Sequence, residues 1–94
     1  MDQKKQNVIE AMVRLEFSRN PPKTQYDCCL IGARCSAAVG DIPHGDEEFI
    51  QAAYGQAAGL FGPAFEAADY AQKTVWIDMC ERALREVTRT PMVG

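Results

Sequence analysis

Apolar residues recur along this chain at the three- and four-residue spacings of helices, with no run of the two-residue alternation that marks a strand. Between Gln3 and Arg19, Val8, Ile9, Met12, Val13, Leu15 and Phe17 stand among charged neighbours, which predicts an amphipathic helix with one core face. Asn20-Pro21-Pro22 ends it, because proline has no amide to donate and turns the residue before it away from helical angles. Thr24 and Asp27 have the spacing of a capping box, with Asp where Glu or Gln is usual, and the run from Tyr26 to Val39 is apolar nearly all round. This second helix is expected to be the central, most buried one. Its small residues, with Gly32 and Ser36 four apart, let a neighbouring helix approach closely. Arg34, a long cation in so apolar a helix, must either reach the edge or pair with a carboxylate.

Gly40 closes that helix, and Asp41-Ile42-Pro43-His44-Gly45 has the Pro and Gly of a turn. Asp46 is expected to cap the third helix, with Glu47 and Glu48 favoured at the positive end of its dipole. That helix runs through Phe49, Ile50, Ala53 and Tyr54. Residues 55–62, Gly-Gln-Ala-Ala-Gly-Leu-Phe-Gly, then leave two alternatives: a loop, or a longer helix in which Gly55 and Gly59 make a smooth face. Gly62-Pro63 is a break, and from Pro63 to Thr88 the stripe Phe65, Ala68, Val75, Trp76, Met79, Cys80, Ala83, Leu84 and Val87 predicts one helix about 39 Å long. Its overhang is the expected dimer or partner surface, and the chain from Arg89 onward reads as a short tail. The whole, residues 1–94, reads as a single all-α domain of about four helices in a bundle.

Size and composition change this picture only in one respect. With 94 residues, 47% hydrophobic and 24% charged, the chain can bury a core, but only roughly 60–65% of the surface its unfolded form exposes, so a dimer or a bound partner is expected. The polar start lacks the apolar stretch of a secretory signal, and no stretch approaches the roughly 20 apolar residues of a membrane span, so the cytoplasm is the expected place and a membrane partner is excluded. Cys28, Cys29, Cys35 and Cys80 are an even set. Adjacent Cys28 and Cys29 do not comfortably bridge, however, and the spacing lacks the CxxC pairs of a structural zinc site, so all four are expected as reduced, small apolar residues.

Charge is unevenly spread. Residues 1–40 carry +2, residues 41–78 carry −6 with Lys73 as their one basic residue, and residues 79–94 carry +1, giving the net −3. Scattered, outnumbered basic residues do not make the face that replaces phosphate counterions, so nucleic acid is not the expected partner. An acidic middle points instead to a basic protein or a cation.

The chemistry-bearing residues are few. His44 lies beside Asp41, Asp46 and Glu48, but one His with loop carboxylates, without HExxH or EF-hand spacing, reads as a turn residue rather than a metal or catalytic centre. A Cys–His pair would need a thiolate on an apolar helix. No catalytic residue is therefore assigned, and the leading expectation is a non-enzymatic protein-protein interaction module. Its contact residues are expected among Glu47, Glu48, Tyr54, Tyr70 and Trp76, and it is expected to need no cofactor.

An alternative rests on Glu47-Glu48-x-x-Gln51 followed by Glu66-x-x-Asp69, which resembles the EExxE…ExxD signature of the MazG-type all-helical nucleoside triphosphate pyrophosphohydrolases. The resemblance covers residues 47–69, and Gln51 stands where that family has a third Glu. It implies that Glu47, Glu48, Glu66 and Asp69 hold magnesium, which binds the triphosphate and activates water. In an antiparallel helix pair these acids face one another only if the turn is centred near residue 58 or 59. If the helix instead runs on to Leu60, the two sets fall about ten residues, roughly 15 Å, out of register.

Overall fold

The computed structural model describes residues 3–89, which form four helices: α1 (Gln3–Arg19), α2 (Gln25–Ala38), α3 (Asp46–Ala67) and α4 (Tyr70–Arg89). The expected all-α bundle is what folds. The expected tail beyond Arg89, residues 90–94, lies outside the described residues.

Local chemistry sets the helix ends. Thr24 caps α2: its hydroxyl accepts the Asp27 amide at 3.0 Å, and the Asp27 carboxylate accepts the Thr24 amide at 3.3 Å, which completes the capping box. The other end closes on Gly40, whose φ of 82° lets its amide reach the carbonyl of Ala37 while the Asp41 amide reaches that of Ser36. This is a Schellman closure, and it needs a residue that tolerates left-handed angles.

α2 is the hub. With α3 and α4 it encloses the main core of Cys29, Ala33, Ala53, Ala57, Phe65, Trp76, Cys80, Ala83 and Leu84. On its other side it meets α1 through a separate, smaller cluster of Ile9, Ile31 and Cys35, flanked by Met12, Val13, Phe17 and Val39. Val8 and Leu15, expected in the core face of α1, are instead exposed at 48% and 54%. With only α2 to lean on, α1 buries a stripe one residue wide at its centre, and residues a quarter-turn off that line face water. Arg34 takes the first of its two options and is exposed at the α1–α2 edge, beside Glu16.

One boundary left open by the sequence is resolved, and another differs from expectation. Residues 55–62 are helical up to the kink at Gly62 (φ 50°, ψ −126°), so α3 continues through its glycines. The expected helix from Pro63 to Thr88 is broken, because Ala68 is extended and the Asp69 carboxylate accepts the Gln72 amide at 2.8 Å, restarting the chain as α4. α4 is thus 20 residues, about 30 Å, rather than the expected 39 Å.

Candidate functional site

The start of α3 gathers the acids that drew attention in the sequence, and it employs them structurally. Gly45, not Asp46, is the N-cap residue, and it offers no side chain. Glu48 reaches back to accept the His44 amide at 2.6 Å, a charge-assisted bond that ties the turn to the positive end of the helix. Asp46 faces α4, where Arg85 Nη2 approaches its carboxylate at 3.3 Å, while Arg85 Nε donates to Glu81 at 3.0 Å. The same guanidinium lies 4.4 Å from the centre of the Phe49 ring. The hydrogen bond to Glu81, then that to Asp46, together hold Arg85 above its ordinary pKa, with some loss to desolvation. Glu47 and the His44 side chain are exposed.

The two acid pairs are not brought together. Fourteen residues of continuous α3, about 21 Å, separate Glu48 from Gly62, and Glu66 and Asp69 lie beyond that kink. Asp69 is already engaged as the α4 cap. Among the described residues no group of three or more His, Cys, Asp or Glu side chains converges as a metal site. The arrangement in which Glu47, Glu48, Glu66 and Asp69 would share magnesium needed a turn near residue 58, and the helix occupies that place.

The aromatic candidates divide. Tyr70, the first residue of α4, is 86% exposed; Tyr54 is exposed and makes a T-shaped contact with Phe65, with centroids 5.4 Å apart at 87°. Trp76 is 8% exposed and belongs to the core, stacked on Phe61 at 4.6 Å and 13°. Its ring is therefore not presented at the surface.

A different feature emerges where α1 and α3 fail to meet. Both flank α2, and the space between them is an open groove of about 560 Å³. Val13 and Phe17 line it from α1, Gly55, Gly59 and Leu60 from α3, and Gly32 and Ser36 form its floor on α2. Glu10, Arg14 and Asp41 supply charge at its margin. The floor is not uniform. A Cβ on Gly32 would stand 3.0 Å from Gln56 Nε2 and 3.3 Å from Leu60, so that glycine serves the packing of α3 on α2. A Cβ on Gly55 or Gly59 would meet nothing within 4 Å.

No acid or histidine pattern marks this groove in the sequence. Its one legible signal is the Gly55/Gly59 pair on a smooth helix face. Comparison with protein-family models, with curated proteins and with solved structures finds no match for the chain. Among the described residues no helix is long and apolar enough to cross a membrane.

Proposed function

We propose that this chain is a small helical interaction module whose α1–α3 groove receives the apolar face of another helix, with α1 of a second copy as its occupant. The observation that carries the reading is the pair Gly55 and Gly59. Each glycine inside a helix costs about 1 kcal/mol relative to alanine, and neither is needed for any packing within the chain. Bare backbone along a groove wall is what a closely approaching helix requires.

Charge and exposure favour a second copy. α1 carries Lys4, Lys5, Arg14 and Arg19 against Glu10 and Glu16, whereas α3 carries Asp46, Glu47, Glu48 and Glu66 and no basic residue. Val8 and Leu15, two turns apart on α1, are apolar side chains without cover. In a two-fold pair each α1 would place this stripe in the other copy's groove, its basic residues near Glu47 and Glu48. Tyr54 and Tyr70 remain candidate rim contacts in the same reading.

Sedimentation equilibrium on the wild type, Leu15→Glu and Gly55→Leu tests this. The wild type is expected to dimerise at micromolar concentration, more weakly at high salt. Both variants are expected to be monomers with unchanged helical circular dichroism. A wild type that stays monomeric at several hundred micromolar, or a dimer indifferent to both substitutions, overturns the reading.

A further inference from the structure

In the middle of the main core, where α2 crosses α4, the sulfurs of Cys29 and Cys80 lie 3.2 Å apart, and both residues are fully buried. That is closer than the roughly 3.5–4.0 Å at which non-bonded heavy atoms usually rest. The other two cysteines stand apart from this contact: Cys28 is half-buried on α2, and Cys35 belongs to the α1–α2 cluster. The four thiols are free, as the sequence suggested, but two of them, 51 residues apart along the chain, are brought together in space.

We propose that Cys29 and Cys80 are a disulfide-forming site that staples α2 to α4 when the chain meets a low-molecular-weight disulfide such as oxidised glutathione. The exchange balances in two steps. One cysteine sulfur attacks the glutathione disulfide, forming a mixed disulfide and releasing one glutathione as its thiol. The second cysteine sulfur then attacks the mixed disulfide at the first, forming the Cys29–Cys80 bond and releasing the other glutathione. The two cysteine protons pass to the two glutathione thiols; the cysteines are oxidised and the glutathione disulfide is reduced.

Either sulfur can donate to the other across this contact, so either can make the first attack once its thiol is exposed. Because both thiols are sealed in the core, exchange proceeds through opened or folding chains, and the folded state then captures the bridge. A link closing so long a loop restricts the unfolded chain strongly, so the bridged form is the more stable one.

The test uses Cys28→Ser/Cys35→Ser, which keeps only the pair in question. It is unfolded in urea with reductant and refolded in a mixed reduced and oxidised glutathione buffer. The expected product has no free thiol, an intact mass lower by two hydrogens, and a melting temperature raised on the order of 10 °C or more over its reduced form. Refolding the wild type in the same buffer and mapping its peptides repeats the test without substitutions, and a Cys29–Cys80 linked peptide is expected. Free thiols or a retained glutathione adduct in the refolded protein, a wild-type bridge through Cys28 or Cys35, or a bridged form that melts below the reduced one overturns the proposal.

Discussion

Gln56 donates its side-chain amide to the backbone carbonyl of Cys29 at 2.8 Å, through a gap that exists because Gly32 has no side chain. α3 therefore sits on α2 at a distance set by one missing Cβ. Three glycines that look alike in the sequence should consequently respond in opposite ways to alanine. Gly32→Ala gains helix propensity but crowds Gln56 and Leu60, and is expected to lose about 1 kcal/mol net. Gly55→Ala and Gly59→Ala meet open space and are expected to gain about 0.5–1 kcal/mol each in the monomer. Urea unfolding of the three variants at low concentration checks the sign. A Gly32→Ala as stable as Gly59→Ala would mean that Gln56 moves aside freely.

The contact between the other pair of helices is sensitive to alkali. Tyr26 on α2 donates its hydroxyl to Glu86 on α4 at 3.0 Å. Burial, then the bond to Glu86 and that carboxylate's charge, raise the Tyr26 pKa above 10.0, with Arg82 pulling the other way. The neutral phenol is thus favoured by folding. Its contribution is fully present below the unfolded value near pH 10 and is lost as pH rises through the higher folded value. Melting temperatures between pH 8 and pH 12 should show the wild type's lead over Tyr26→Phe constant up to about pH 10 and shrinking above it. The Cys28 and Cys35 thiols, both raised first by burial, titrate in the alkaline range too, but they are common to both proteins and cancel. A lead that stays flat to pH 12 would show that the phenol ionises equally in both states.

Helix number, the α1 span and the Thr24–Asp27 cap were legible because each is decided within a few residues. The start of α4 was not. Asp69 with Gln72 three residues on is a capping signal, but Ala68 also fits the apolar stripe running on from Phe65, and periodicity cannot tell a continued helix from one restarted in phase. The glycine-rich stretch was ambiguous for a related reason. Propensity sets a cost for Gly55 and Gly59, whereas the burial of Ala53 and Ala57 on the opposite side of α3 decides that the helix holds. At the acidic turn the sequence reads Asp46 as the cap and Glu47 and Glu48 as helix-end acids, whereas the fold caps α3 with Gly45 and turns Asp46 toward Arg85, which no local pattern encodes. Of the groove only the smooth Gly55/Gly59 face was legible, because the groove itself comes from α1 and α3 both packing on α2 and not on each other, a relationship no local pattern encodes.

Trp76, which the sequence places both in the apolar stripe of the last helix and among the candidate contacts, is a core residue, and its burial leaves a measurable defect. Its indole Nε1 has no hydrogen-bond partner within the described residues, although the atom is out of contact with water. An unsatisfied buried donor costs about 1–3 kcal/mol, which offsets part of what the ring gains by stacking on Phe61 and packing beside Phe65 at 6.4 Å. Trp76→Phe removes the orphan N–H together with some volume, so the two effects oppose, and the net loss is expected to stay below about 1.5 kcal/mol. Trp76→Ala keeps neither compensation and should cost about 3–5 kcal/mol, a large share of the stability of a domain this size. Denaturant unfolding of both variants separates the terms. A Trp76→Phe nearly as damaging as Trp76→Ala would mean that the indole nitrogen is satisfied in solution, and that the stack with Phe61 depends on the full width of the ring.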